Sequence, residues 1–171
     1  VAEESFRYAR DLELDFVEFC INGPDHGEQL RQYRNDIPRW MDQYGVTVGS
    51  IGRWKADILT PDGTIDPNEL RIAAELSQLA GEFGCPNYIC GCNYAPAVSK
   101  FSNYSAAIRF FEQVLKNAPD SVRVSVYNCR KKNFVNTQEA WSIVLGHLPE
   151  LGLKFDPSHS RYAGSDYLQE L

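Results

Sequence analysis

The sequence predicts an α/β fold: a parallel sheet with its helices, forming part of a (β/α)8 barrel. Helix-type and strand-type segments alternate without exception along the 171 residues. A strand recurs roughly every 30 to 40 residues, the pitch of βα units. Polar residues gather just past the C-terminal end of nearly every strand: Asn22, Asp25 and His26; Arg53 and Trp54; Asn93 and Tyr94; Tyr127 and Asn128; Asp156 and His159. An open, doubly wound sheet would be complete with five strands and would bind its ligand at one switch point. In a barrel every strand end faces the same site. The even spread of polar residues selects the barrel.

The elements follow in order. Glu3 to Leu12 reads as a helix, with Phe6 and Ala9 at helical spacing and neither Gly nor Pro inside it. Phe16 to Ile21 is a short apolar strand, and Asn22-Gly23-Pro24-Asp25 is turn chemistry. A helix from about Glu28 to Tyr44 puts Leu30, Tyr33, Ile37, Trp40 and Met41 near one face. Gly45 stops it, and Pro38 argues for a kink or two pieces. Val46 to Ile51 is the next strand, followed by a polar loop from Arg53 to Ile65 that turns at Pro61-Asp62-Gly63. Asp66 as N-cap and Pro67 in the first helical position open a helix that Gly84 closes. Asn87 to Cys92 is a third strand, and Asn103 to Lys116 is helical. Val122 to Tyr127 is a fourth strand; Thr137 caps a helix from Gln138 to His147; Leu151 to Phe155 is a fifth strand. Ser165 to Leu171 starts one more helix. No composition shift or linker divides the chain, so residues 1–171 read as a single partial barrel domain, with the first barrel strand and the last two missing.

Composition narrows the function. With 43% hydrophobic and 23% charged residues the chain can bury a core, which excludes disorder as its main state. A net charge of −6 with scattered Lys and Arg argues against nucleic acid as a partner. No apolar run is long enough to span a membrane, and the N-terminus lacks the marks of a signal peptide. Five cysteines, an odd number set mostly in apolar strand-like runs, read as free thiols in a reducing, cytoplasmic setting. The chain lacks Gly-x-Gly-x-x-Gly, a Walker-type Gly-Lys-Ser/Thr, Cys-x-x-Cys, Gly-x-Ser-x-Gly and His-Glu-x-x-His.

The sharpest local signal is Lys154-Phe155-Asp156-Pro157-Ser158-His159. A strand delivers a carboxylate at its tip, and an imidazole follows three residues later across a Pro-fixed turn. Such oxygen and nitrogen ligands suit a divalent cation (Mn, Mg, Zn or Co), with Asp156 the metal residue. The plainer alternative is that Asp156 caps the turn and His159 is solvated. Along Val122 to Tyr127 the valines suit a helix-packed side while Ser125 and Tyr127 face inward. Tyr127, Asn128 and Arg130 are then candidates for substrate hydroxyls or phosphate, or Tyr127 simply fills the barrel mouth. Glu18 is a carboxylate inside an apolar strand, costly unless paired or used, and is a catalytic candidate beside His159. His26, Trp54 and Asn93 follow strand ends and are substrate-binding candidates. Cys90, Cys92 and Cys129 read better as small buried hydrophobes than as thiolate ligands.

These residues resemble a known family. Asp15-Phe16-Val17-Glu18-Phe19 is similar to an early strand, and Phe155-Asp156-Pro157-Ser158-His159 to a later strand end, of the sugar phosphate isomerase/epimerase superfamily. These are the xylose-isomerase-like TIM barrels, which also include endonuclease-IV-type enzymes. Asp166 to Leu171 looks like the helix before that family's next strand. The resemblance implies a divalent metal held by a Glu, an Asp, a His and a second Glu from four strand ends. It also implies proton shuttling next to a carbonyl by two carboxylates. Asp156 matches the Asp ligand, and His159 a substrate-contacting His. Tyr127 stands where the family has its first Glu ligand, so the chain departs from the two-carboxylate pattern at this strand end. The activity implied is that of a sugar or sugar-phosphate isomerase/epimerase. Two alternatives are a sugar-binding barrel with impaired catalysis and a lyase or dehydratase on the same metal site. Homo-oligomers occur among such barrels. Phosphodiester cleavage is disfavoured by an acidic chain with three His.

Overall fold

A computed structural model describes residues 3–170, apart from the side chains of 24–26. Five strands form one sheet: β1 (Phe16–Ile21), β2 (Thr47–Arg53), β3 (Asn87–Cys90), β4 (Arg123–Tyr127) and β5 (Gly152–Lys154). Their order in space is β1-β2-β3-β4-β5, and every neighbouring pair is parallel. A doubly wound sheet reverses its strand order at a switch point. This one never does, so each crossover carries the chain one strand onward in the same direction, as in a barrel. The fold is α/β, with five parallel strands of a partial TIM barrel.

The helices are α1 (Glu3–Asp11), α2 (Pro24–Gln32), α3 (Asp36–Tyr44), α4 (Pro67–Glu82), α5 (Lys100–Asn117), α6 (Gln138–His147), α7 (Pro157–Tyr162) and α8 (Tyr167–Glu170). The stretch expected as one helix from Glu28 to Tyr44 is two, broken at residues 33–35. Pro38 sits inside the first turn of α3, where a backbone N–H has no helical acceptor anyway. Gly45 ends α3 at φ 66, a left-handed cap that costs glycine little. α4 starts as its sequence asks: the Asp66 carboxylate accepts from the Asn68 N–H at 2.8 Å. Thr137 likewise caps α6, accepting from the Ala140 N–H at 3.2 Å. α5 begins three residues ahead of the expected Asn103, because Ser99 supplies the cap by accepting from the Ser102 N–H. α7 was not expected; Pro157 opens it behind Asp156.

The two faces of the sheet differ in chemistry. Val48, Ile51, Tyr88, Cys90, Val124 and Val126 are buried on the side that packs against the helices, whose Phe6, Leu30, Ile37, Leu76, Phe110 and Phe111 complete the core. Alternate positions, Phe16, Glu18, Thr47, Ser50, Asn87, Ile89, Arg123, Ser125, Gly152 and Lys154, line an open hollow on the other side. The alternation read along β4 therefore holds: its valines face the helices, and Ser125 and Tyr127 face the barrel interior.

Candidate functional site

The strand ends are tied together by asparagines. Their loops have backbone groups that no ladder satisfies, and an amide side chain offers one donor and one acceptor side to replace it. The Asn93 amide donates to the Leu59 carbonyl at 2.8 Å and accepts from the Leu59 N–H at 2.7 Å, pinning the β2–α4 loop to the end of β3. Asn128 donates to the Asp156 carbonyl at 2.9 Å and accepts from the Asp156 N–H at 3.0 Å, linking the ends of β4 and β5. Asn133 donates to the Tyr127 carbonyl at 2.6 Å and accepts from the Cys92 N–H at 3.1 Å. Asn103, on α5, accepts from the Ala95 N–H at 2.8 Å. All four are buried. The sequence offered Asn93 and Asn128 as substrate ligands; the structure turns both amides onto backbone and makes them positioning groups.

A cavity of 220 Å³ opens above these ends, lined by Cys20, Asn22, Trp54, Lys55, Tyr127, Cys129 and Lys131. Its floor is the Trp54–Tyr127 pair, with ring centroids 4.6 Å apart and planes tilted by 39°. Two glycines make that floor possible. A Cβ on Gly91 would come within 2.5 Å of the Tyr127 hydroxyl, and one on Gly52 within 2.5 Å of Trp54 Nε1. The Trp54 indole N–H is buried and has no hydrogen-bond partner among the described residues. The Tyr127 hydroxyl donates to the Lys132 carbonyl at 3.5 Å. Burial, followed by the influence of Cys90, pushes this phenol well above its ordinary pKa, although the Lys55 backbone N–H bonded to it pulls the other way. Tyr127 is a neutral phenol at physiological pH.

On the neighbouring strand end, Asp156 serves as N-cap of α7. Its Oδ1 accepts from the Ser158 N–H at 3.0 Å and from the Ser158 hydroxyl at 2.6 Å. The Ser158 hydroxyl holds the carboxyl below its ordinary pKa, helped by the Ser158 N–H, Lys154 and His159. Its Oδ2 accepts from Lys154 Nζ at 3.5 Å and lies 3.9 Å from His159 Nε2. The carboxylate and imidazole singled out in the sequence are thus brought together, and the capping role of Asp156 coexists with that meeting.

Other candidates lie elsewhere. Glu18 sits on the interior face of β1, opposite Ser50 in the register, and accepts from the Ser50 hydroxyl at 2.8 Å. It lines the lower hollow and not the mouth cavity, so the residue proposed as catalytic stands one inward position below Cys20. Arg130 is turned away too: it lines an outer groove with Thr137, Glu139 and Glu170. Lys131, the next residue, faces the cavity instead. His26 falls in the first turn of α2, and its side chain lies outside the described residues. Sequence reading missed Lys55, Lys131, Cys20 and Cys129 as cavity residues. Two of them carry a readable signal, since Lys55 directly follows Trp54 and Cys20 occupies an inward position of β1.

Among the described residues no group of three or more His, Cys, Asp and Glu could hold an ion. Asp156 and His159 are one pair, and the expected third ligand is the neutral Tyr127 packed under Trp54. The residues of this chain do not fit the implied metal site by themselves.

No helix among the described residues is long and apolar enough to cross a membrane. No curated protein matches the chain in sequence. Among solved structures, D-psicose 3-epimerase from Clostridium cellulolyticum H10, solved with D-tagatose, superposes with TM-score 0.72 at 13% identity, over 93% of this chain and 59% of its own. The probable 3-DHS dehydratase AsbF of Bacillus anthracis superposes with TM-score 0.70 at 13% identity, over 97% of this chain and 61% of its own. A xylose isomerase-like TIM barrel protein from Mycobacterium smegmatis, in complex with magnesium, superposes with TM-score 0.58 at 14% identity, over 88% of this chain and 54% of its own. The chain thus spans less than two thirds of each of these three structures. At such identities the likeness is one of fold. The family model for the xylose isomerase-like TIM barrel matches residues 6–171, so with the singly wound sheet and the Asp156–His159 strand end the chain belongs to the xylose isomerase-like TIM barrel family.

Proposed function

We propose that this chain forms the substrate-binding mouth of a sugar isomerase or epimerase that moves a proton next to a carbonyl. The observation that carries this reading is the tilted Trp54–Tyr127 pair flooring a cavity at the end of β4, a strand end that Asn128 ties to the one bearing the Asp156–His159 pair. An aromatic floor takes the apolar C–H face of a sugar ring, and a nearby imidazole is the side chain best suited to give and take a proton near neutral pH. Asp156 stays ionised with its Oδ2 3.9 Å from His159 Nε2, and Asn128 fixes the height of Asp156. A sugar epimerase and a dehydratase among the structural neighbours are consistent with proton abstraction beside a carbonyl. All five cysteines are free, which suits a reducing, cytoplasmic setting.

The test is proton exchange. The whole protein is incubated in D2O with ketoses and keto acids, and loss of the substrate C–H signal is followed by NMR. Exchange that disappears in His159→Gln, with ligand-induced thermal stabilisation retained, is the expected result. Absence of exchange across the panel overturns the enzymatic reading. Tyr127, standing where the family resemblance places a carboxylate, favours one second reading: a sugar-binding barrel without turnover. Its signature is ligand-induced stabilisation with no exchange in the unaltered protein.

A further inference from the structure

The inner surface of the mouth cavity is almost wholly apolar, although Asn22, Lys55, Tyr127 and Lys131 all contribute to it. The polar atoms of its wall are turned away or already taken. The Tyr127 hydroxyl donates to the Lys132 carbonyl and accepts from the Lys55 N–H. The Trp54 indole N–H is buried against Gly52, where a Cβ would lie 2.5 Å from it. Asn22 has a partner of its own. Lys55 and Lys131 are exposed, so their aliphatic stems form wall while their ammonium groups reach water. Cys20 and Cys129 complete the wall as small apolar groups.

The amides nearest the strand ends are spent on backbone. Asn93 holds Leu59, Asn128 holds Asp156, and Asn133 holds Tyr127 and Cys92. A pyranose stacked on Trp54 would bring its ring-edge hydroxyls against this wall, where they lose water and gain no partner, a costly exchange. An aryl or alkyl group meets no such cost. Size agrees with this. An apolar cavity of about 150 Å³ takes one benzene ring. This cavity measures 220 Å³.

We propose that the mouth cavity is a subsite for an apolar, ring-sized substituent of the substrate, which stacks on Trp54 while the sugar joined to it lies toward the end of β5 and His159. This rests on the sugar-binding reading above and narrows its substrate class from free sugars to sugars that carry an aryl or alkyl group. Stacking on the indole and removal of apolar area from water supply the preference.

Two readouts on the whole protein test the subsite. Calorimetric titration compares phenyl β-D-glucopyranoside, methyl β-D-glucopyranoside and D-fructose, with phenol as the ring without a sugar. The phenyl glycoside is expected to bind on the order of tenfold tighter than the methyl one. In the second readout iodoacetamide labels Cys20 and Cys129, and peptide mass mapping follows each rate. Saturating phenol is expected to slow both, because both thiols line the cavity. Trp54→Ala is expected to abolish the phenyl advantage and the protection. Should that variant fold poorly, Cys129→Phe, which fills the cavity from its wall, is expected to abolish the advantage and the protection of Cys20. Equal affinity for the two glycosides, or an advantage that survives in the folded variants, overturns the subsite and leaves the sugar-binding reading standing. Failure of every sugar to bind counts against that reading instead, and phenol then decides the subsite alone: protection that the variants lose supports it, and labelling unchanged by phenol overturns it.

Discussion

Asn128 is the joint between the two strand ends that the proposed chemistry needs, and Asn128→Ala is expected to loosen it measurably. The side chain is 2% exposed and holds both backbone groups of Asp156, with a third contact to the Ser160 hydroxyl at 3.3 Å. Truncation leaves the Asp156 N–H without a partner, while its carbonyl keeps the His159 N–H at 3.1 Å. An unsatisfied buried group costs roughly 1–3 kcal/mol, and Asp156 is partly open to water, so the total comes to about 1–2 kcal/mol. For a chain of this length that lowers the melting temperature by about 2–8 °C. Asn128→Asp is no rescue, because a second carboxylate oxygen would then face the Asp156 carbonyl. Thermal melts followed by circular dichroism measure the loss, and hydrogen exchange locates it at the amides of Asp156 and Ser158. A variant melting within about 1 °C of the unaltered protein, with those amides still protected, would refute the view that Asn128 carries the joint.

Three further outcomes are expected. Arg53→Ala removes one partner of a buried bidentate pair, in which Arg53 is 5% and Glu69 13% exposed, and denaturant titration should show a loss of about 3–5 kcal/mol. Burial raises the thiol pKa of Cys85, takes that of Cys90 up to about 12 and raises that of Cys92 well above normal, so an aromatic disulfide reagent at mild alkaline pH should label Cys20 and Cys129 in the folded chain and these three only after unfolding. The Asp156 carboxyl, held low chiefly by Ser158, favours folding once ionised. That stabilisation is complete above the ordinary carboxylate pKa and fades as pH falls through the lowered folded value. The melting-temperature gap between the unaltered protein and Asp156→Asn should therefore shrink between about pH 6 and pH 3, and a gap that widens would contradict the assignment.

Much of this architecture is legible in the sequence, for identifiable reasons. β-Branched alternation along Val122 to Tyr127 fixes which side chains face in, and the structure follows it. Asp66, Pro67 and Thr137 are local signals, and their helices begin where those residues say. The break between α2 and α3 is less legible, because Pro38 attracts attention while the chain turns at residues 33–35, a run with neither Gly nor Pro. Side-chain direction in the loops is the least legible. Arg130 and Lys131 are adjacent and chemically alike, yet only the path of the 128–136 loop decides which one reaches the cavity. An asparagine after a strand reads equally as a ligand for hydroxyls or as a backbone clamp. That choice depends on whether another loop offers an N–H and a carbonyl at the right height, as Leu59 does for Asn93 and Asp156 for Asn128.

Size alone would place the site in the wrong half of the sheet. The lower hollow, at 610 Å³, is nearly three times the volume of the mouth cavity, at 220 Å³, and it contains Glu18. Yet its wall consists mostly of strand residues, and in a (β/α)8 barrel the space inside the sheet is filled by side chains of the facing strands. Phe16, 53% exposed on that face, is a packing residue still open on one side. Glu18 fits the same interior, its carboxylate held by Ser50 across the β1–β2 pair. The mouth cavity instead is built from residues at and just beyond strand ends, on loops fixed by buried amides. On the function proposed above, the smaller hollow is the one that takes the substrate, and Glu18, bonded to Ser50, stands in the barrel wall beneath it.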